Sequence, residues 1–314
     1  MKSKPVNFFS RYIPSSKSIG LTFAGTAVGV TIGALTINEI VVKPLNDINL
    51  ARQELIDLKE VTRGKQKDDL LKTREQVTQL EEALTGTKES LENNRRKIII
   101  KNTLKSTVTV RIARPGEKDI IGSGFIFKED GRRFMFSANH VIPAKQFQER
   151  GINITLSNKE KFTILPSAFE NRLLMRRFPE DDFVIMEISP EQKLPEGAGC
   201  LKLRKGPPEH GETVVAIGSP FGYEGTVTTG VIGGLKRDIL TPTEVQMNNL
   251  IQLSVPVNPG DSGGPVVDMR DEVVGMTFAM RSDAQQIAFA IQSDILRKCF
   301  DKALKDEALM KKAN

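Results

Sequence analysis

Hydrophobic and polar positions divide the chain into three stretches with different periodicities. Residues 18–38 are mostly apolar and carry no charged side chain. At about 1.5 Å per helical residue, this stretch would span roughly 30 Å, the thickness of a bilayer hydrocarbon core. The pattern predicts a transmembrane helix over 18–42. The basic tail over 1–17 then places the N-terminus in the cytoplasm and the rest of the chain on the far side of the membrane.

A cleaved signal peptide and an organelle-targeting presequence are alternative interpretations of the same segment. The apolar stretch is long for a signal peptide, and no clear A-x-A cleavage site follows it. Gly25, Gly29 and Gly33 recur at a four-residue spacing that lets membrane helices approach closely. The same glycines are equally explained by the frequency of glycine in membrane helices.

Residues 43–97 alternate acids and bases and contain no aromatic residue. Apolar side chains recur there every seven residues, at Leu70, Val77, Leu84 and Leu91. This repeat predicts a helical spacer with a coiled-coil tendency, and a solvated helix without a partner is an equal alternative. Gly64 and Gly86 are expected to interrupt the helix. The interleaved charges argue against a nucleic-acid surface.

From about Ile98 onward, short β-rich runs alternate with Gly, Pro and Asn. The predicted strands are Thr107–Ile112, Gly124–Phe127, Arg133–Phe136, Ile152–Leu156, Phe183–Ile188, Thr213–Ile217, Thr226–Ile232, Leu250–Val255, Pro265–Val267, Val273–Phe278 and Ile287–Ile291. Such spacing without helical patterns between the strands predicts an all-β domain over 98–300. Ser293 and Asp294 can cap a closing helix that runs into a helical tail over 301–314.

The amino-acid composition excludes several kinds of functional site. The chain has 314 residues, with 45 Lys+Arg, 39 Asp+Glu, two His and two Cys. Two cysteines exclude a disulfide-dense scaffold and a multi-cysteine metal site, and Cys200 and Cys299 are expected to be free thiols. Neither a metal nor a cofactor is expected, and no nucleic-acid partner. A histidine general base must be His140 or His210.

The most informative segment is Asn258-Pro259-Gly260-Asp261-Ser262-Gly263-Gly264-Pro265. A serine among glycines lies where the backbone turns tightly, so that N–H groups can point beside its hydroxyl and stabilise an oxyanion. A serine nucleophile also needs a base that a third group orients. His140 ends one apolar strand, and Asp182 precedes another. Taken alone, the glycine-rich segment could also be a hairpin loop.

The chain order His, Asp, Ser, together with the Gly-Asp-Ser-Gly-Gly-Pro box, resembles the trypsin-like, chymotrypsin-fold serine proteases of the HtrA/Deg branch. The similarity extends in order over about residues 100–295, through segments at 216–222, 226–232, 251–260, 274–276 and 288–291. The resemblance implies two six-stranded β-barrels with a C-terminal helix.

The resemblance also implies roles for individual residues. His140 would be the general base, Asp182 its orienter and Ser262 the nucleophile. The backbone of Gly260, Asp261 and Ser262 would form the oxyanion hole. Asp181 is an alternative to its neighbour Asp182, and His210 is expected to be an exposed turn residue.

The primary substrate pocket is also assigned by resemblance. Pro256 stands six residues before Ser262 and would lie at the base of the pocket, with Phe278, Ala279 and Ala290 lining it. A pocket without a buried acid leaves a Lys or Arg head group unpaired. We therefore expect cleavage after small to medium aliphatic residues.

Two departures from the family pattern are expected. Few residues follow Phe300, so no PDZ domain is expected, and the segment Arg114–Asp119 is too short for a long regulatory loop. A homotrimer or another homo-oligomer is the assembly that the resemblance implies.

The sequence therefore predicts a membrane-anchored HtrA-like serine endopeptidase in the periplasm or another extracytoplasmic space. Its substrates would be unfolded, extended segments of misfolded envelope proteins, and its role protein quality control. The mitochondrial inner membrane, facing the intermembrane space, is an alternative location. The alternative function is that of a membrane-tethered pseudo-protease acting as a peptide-binding or assembly module.

Overall fold

The computed structural model describes residues 43–61, 67–169, 174–192, 194, 199–241, 245–280 and 287–313. The predicted basic tail and transmembrane segment, 1–42, lie outside these residues. None of the described helices is long and apolar enough to cross a membrane. The chain divides into two compact units, residues 1–91 and 92–314.

The described residues of the N-terminal unit are helical, as the charged pattern predicts. Helix α1 spans Lys43–Val61, and helix α2 spans Lys67–Ser106 and continues into the second unit. Within the first unit, Lys59 of α1 forms an ion pair with Glu81 of α2 at 3.2 Å. The predicted break at Gly86 is wrong, since α2 runs through it, and a solvent-facing helical glycine costs only about 1 kcal/mol. Gly64 lies outside the described residues, and coiled-coil pairing stays a prediction.

After the end of α2, the second unit contains a seven-stranded antiparallel sheet. Its strands are β1 Thr107–Ile112, β2 Ile120–Glu129, β3 Arg132–Ala138, β4 Ile152–Leu156, β5 Lys161–Ile164, β6 Met175–Phe178 and β7 Phe183–Ile188, in the order β5-β4-β1-β2-β3-β7-β6. The middle strands are apolar on both faces because the sheet curls around a core. That core includes the fully buried rings of Phe125, Phe136 and Phe183.

A second seven-stranded sheet follows. Its strands are β8 Lys202–Leu203, β9 Thr213–Gly218, β10 Thr226–Leu240, β11 Gln246–Leu253, β12 Pro265–Asp268, β13 Glu272–Met280 and β14 Ala288–Gln292, in the order β12-β9-β10-β11-β14-β13-β8. Strands β12 and β13 also pair, so six of these strands close into a ring and β8 adds to its outside in parallel.

Two helices complete the second unit. Helix α3, Ala144–Arg150, was not predicted, whereas the predicted C-terminal helix is present as α4, Ser293–Ala313. Phe300 of α4 is fully buried, with its ring 4.8 Å from that of Phe134 on β3. Arg132 of the same strand donates to Glu187 and to Glu307 of α4. Apolar packing and ion pairs thus hold the helix against the first sheet.

The predicted fold class needs one correction. The protein is mostly β, but each sheet has seven hydrogen-bonded strands rather than six. The sequence pattern missed three short strands, namely β5, β6 and β8. Among the described strands, a six-membered closed ring is formed only by the second sheet.

Candidate active site

His140 lies on a 3-10 turn, Asn139–Val141, directly after β3. Its backbone N–H donates to Oδ1 of Asp182 at 2.8 Å, and its ring Nδ1 lies 2.5 Å from Oδ2 of the same carboxylate. About half of the His140 side chain is exposed. The carboxylate therefore fixes the ring at Nδ1 and leaves Nε2 as the nitrogen available for chemistry.

Asp182 follows a 3-10 turn over Pro179–Asp181 and adopts the left-handed conformation, with φ of 46°. This conformation ends the turn immediately before β7. The side chain is buried, and the backbone carbonyl accepts from Asn139 N–H at 2.9 Å. The neighbouring Asp181 accepts instead from Cys299 Sγ at 3.5 Å. Of the two adjacent carboxylates, the structure thus places Asp182 against the histidine.

Ser262 lies on the loop between β11 and β12. Its hydroxyl donates to the carbonyl oxygen of Phe278 at 3.1 Å rather than to His140. Phe278 falls at a register shift between β13 and β14, a bulge that turns its carbonyl out of the ladder and toward the loop. The ring of Phe278 meets that of His140 edge-on, with centroids 6.4 Å apart. The serine and histidine therefore flank the same residue.

The backbone of the serine loop is fixed by contacts from both sides. Pro259 accepts from the N–H of Phe221 at 2.8 Å. Because the following peptide bond is trans, the N–H of Gly260 points the opposite way. Among the described residues, the N–H groups of Gly260 and Ser262 have no acceptor. The N–H of Asp261, predicted as a third oxyanion donor, instead donates to Asn258 at 3.0 Å, which corrects that assignment.

Ser123 on β2 ties the serine loop to the first sheet, a role that the sequence analysis missed. Its N–H donates to the carbonyl of Ser262 at 2.8 Å, and its hydroxyl donates to that of Gly260 at 2.7 Å. Its own carbonyl accepts from the hydroxyl of Ser137 at 2.7 Å. Both serines are fully buried. The two flanking glycines, Gly122 and Gly124, were the available signal, because a Cβ at either would collide with a neighbour.

The carboxyl group of Asp261 is buried beside the serine. It accepts from the N–H of Asn258 at 2.8 Å, and no cation pairs with it among the described residues. Desolvation raises the pKa of Asp261 from 3.8 to about 6. Burial of an uncompensated charge is the physical cause of this shift.

The residues assigned to the substrate pocket differ in how far they are exposed. Pro256 is exposed, which is not the environment expected at the base of a pocket, while Phe278 is 6 % exposed and Ala290 fully buried. The side chain of Ala279 lies outside the described residues. The pocket assignment therefore stays a prediction.

Among the described residues, His210 and the two cysteines make no hydrogen bond with His140, Asp182 or Ser262. His210 is exposed on a turn, as predicted. Cys200 and Cys299 are free thiols, also as predicted, and burial raises the pKa of Cys299 to about 12. Among the described residues, no cluster of His, Cys, Asp or Glu could hold a metal ion.

Part of the chain is similar to known serine proteases. Residues 122–276 match the family described as a trypsin-like peptidase domain. A probable periplasmic serine endoprotease, DegP-like, from Marinomonas is 29% identical over 196 residues, covering 61% of this chain and 37% of the relative. The serine protease Do-like HtrB of Bacillus subtilis is 31% identical over 194 residues, covering 59% and 38%. The chain thus spans less than two fifths of the length of these curated relatives.

Solved structures show the same fold. A serine endoprotease from Yersinia pestis superposes with a TM-score of 0.51 at 21% identity, over 68% of this chain and 67% of that one. A Mycobacterium tuberculosis protease in its active form gives 0.50 at 21% identity, over 62% and 78%. The fold is therefore mostly β and chymotrypsin-like, with a C-terminal helix.

Proposed function

We propose that the chain is a serine endopeptidase that hydrolyses peptide bonds through an acyl-enzyme intermediate, because residues 122–276 match a trypsin-like peptidase domain and its curated relatives are named as serine endoproteases of the DegP and HtrB type. Ser262 is the nucleophile, His140 the general base and Asp182 the residue that orients the base. The observation that carries the proposal is the double contact of Asp182 with the backbone and ring of His140, at 2.8 and 2.5 Å. This contact holds the imidazole in the tautomer that a general base requires.

The chemistry follows from these positions. Ser262 Oγ attacks the scissile carbonyl carbon while its proton passes to Nε2 of His140. The histidine returns that proton to the leaving amine as the carbon–nitrogen bond breaks, and a water molecule then hydrolyses the ester by the same route in reverse. The N–H groups of Gly260 and Ser262, which have no acceptor among the described residues, stabilise the oxyanion.

One movement must precede attack. The Ser262 hydroxyl donates to the carbonyl of Phe278, so it must rotate toward His140 before it can attack. Catalytic hydrogen bonds often form only in the substrate complex. The same observation supports the second candidate function, a peptide-binding pseudo-protease in which this rotation never occurs.

The substrates we propose are unfolded or extended polypeptides, whose extended backbone suits recognition by strand pairing. Cleavage after small to medium aliphatic residues is proposed because Phe278 and Ala290, the buried members of the assigned pocket, are both apolar. Since the Marinomonas relative is named as periplasmic, we place the domain outside the cytoplasm. It would be tethered by residues 18–42 and assembled as a homo-oligomer.

Labelling with a fluorophosphonate probe tests the enzyme against the binding module. We expect the wild type to be labelled and Ser262→Ala to be unlabelled. Two adjacent carboxylates provide a matched pair: Asp182→Asn is expected to slow labelling at least a hundredfold, whereas Asp181→Asn keeps it near the wild-type rate. Absence of labelling in a folded wild-type protein would favour the pseudo-protease. Equal loss in both Asn variants would contradict the assignment of Asp182.

A further inference from the structure

A second side chain, besides Asp182, holds the turn that carries His140. Nη1 of Arg177 donates to the side-chain oxygen of Asn139 at 2.9 Å and to the carbonyl of Ile142 at 2.5 Å. These acceptors stand immediately before and immediately after the segment His140–Val141. One guanidinium therefore joins both ends of the turn.

A single hairpin supplies both holding groups. Arg177 lies on β6, where it pairs with Val184 of β7, and Asp182 lies in the connection between these strands. Asp182 contacts His140 itself, whereas Arg177 contacts the residues at the two ends of the turn, Asn139 and Ile142. The position of the hairpin thus determines the position of the base.

The location of Arg177 is not explained by an ion pair. Among the described residues no carboxylate lies within ion-pair distance of it, and its Nη2 is buried without a hydrogen-bond partner. Desolvation alone lowers the pKa of Arg177. A partly buried cation without a counter-ion is destabilising. The two hydrogen bonds that Arg177 donates to Asn139 and Ile142 are the interactions that offset this cost. Asp182 is already engaged by His140 and Asn139.

We propose that Arg177 is a positioning residue for the general base: its guanidinium bridges Asn139 and Ile142 and thereby sets the direction of Nε2 of His140 toward Ser262. This inference rests on the proposed function. Arg177 does not contact the reacting atoms, and its effect passes through the turn. Removing it leaves the turn held from the Asp182 side alone.

The test compares Arg177→Met, Arg177→Lys and the matched control Arg176→Met in the full chain, with a peptide substrate. We expect Arg177→Met to lower kcat about tenfold to a hundredfold with KM nearly unchanged, because a small misplacement of a catalytic group costs this much. Arg177→Lys restores part of the rate, since an ammonium can reach only one of two acceptors at a time. Arg176→Met removes the same charge from the other face of the strand and leaves kcat unchanged.

A spectroscopic measurement separates positioning from a structural role. The far-downfield proton of the bond between His140 Nδ1 and Asp182 is expected to shift or broaden in Arg177→Met, but not in Arg176→Met, at temperatures where all variants are folded. Unchanged kcat and an unmoved proton in Arg177→Met would overturn the inference. So would a rise in KM that accounts for the whole loss of kcat/KM. A wild type without turnover overturns the proposed function instead, and the proton signal then decides on Arg177 by itself.

Discussion

Replacing Asp261 with Asn is expected to stabilise the protein at neutral pH. The Asp261 carboxyl group is 8 % exposed, and its one hydrogen bond comes from the N–H of Asn258. An Asn side chain has the same shape as the protonated acid and keeps an oxygen for that bond. The substitution therefore removes a charge without removing a contact.

The size of the effect follows from the shift in pKa. Burial raises the pKa of Asp261 from 3.8 to about 6, and a change of one pKa unit corresponds to about 1.4 kcal/mol. Because the folded-state pKa is the higher one, the folded protein favours the neutral acid. The stability that the neutral Asp261 side chain contributes is fully present below pH 3.8 and is lost as the pH rises through about 6. At pH 8 the charged form opposes folding by at most about 3 kcal/mol.

Urea denaturation of the wild type and Asp261→Asn at pH 4 and pH 8 measures this contribution. We expect the gain in the free energy of unfolding to be about 2 kcal/mol larger at pH 8 than at pH 4. Asp130→Asn is the control, because Asp130 is exposed and its left-handed conformation suits Asn equally. A gain of the same size at both pH values, or a loss at pH 8, would refute the reasoning.

Three further substitutions test packing and loop geometry. Arg132→Met leaves Glu187, which is 5 % exposed, without its bidentate partner. We expect it to lower the free energy of unfolding, measured by urea denaturation, by about 3 kcal/mol. A decrease of less than about 1 kcal/mol would contradict this. Phe300→Ala empties a fully buried ring site and should cost about 3–5 kcal/mol, measured as a lower Tm by calorimetry; an unchanged Tm would show that α4 is not packed as described. Gly263→Ala puts a Cβ 2.1 Å from a backbone carbonyl oxygen of β2 at φ of 89°, so fluorophosphonate labelling should be lost. Gly131→Ala, whose positive φ is similar but whose surroundings are open, should keep labelling, and equal loss in both would show that backbone strain rather than the close approach is responsible.

Much of the fold was predictable because its central strands are apolar on both faces. Every predicted strand matches an observed one, with different ends for several of them. The missed strands lack that signal: β6 reads Met-Arg-Arg-Phe, and β8 has two residues that pair in parallel with β13. Their strand character comes from neighbours in the sheet rather than from their own side chains.

The sequence predicts only those residues of the site that are recognisable from their type and their order along the chain. His140, Asp182 and Ser262 stand out because their chemistry is unusual in their contexts. Ser123 and Arg177 do not by their own residue type, since a serine or an arginine within a strand is ordinary, and only the glycines on either side of Ser123 mark its position. Their roles arise from contacts made by folding, such as the hydrogen bond from Ser123 to Gly260, 137 positions away along the chain.

The residues of the candidate site are divided between the two sheets, and this explains why the contacts of Ser123 matter. The first sheet carries the histidine and the aspartate, and the second carries the serine. The serine loop contains two glycines with positive φ, Gly260 and Gly263, and the buried, uncompensated charge of Asp261, which is unfavourable by itself. Ser123 joins that loop to the first sheet through two hydrogen bonds. The position of Ser262 relative to His140 therefore depends on these buried polar contacts, and we expect their loss to slow the proposed fluorophosphonate labelling before it unfolds the domain.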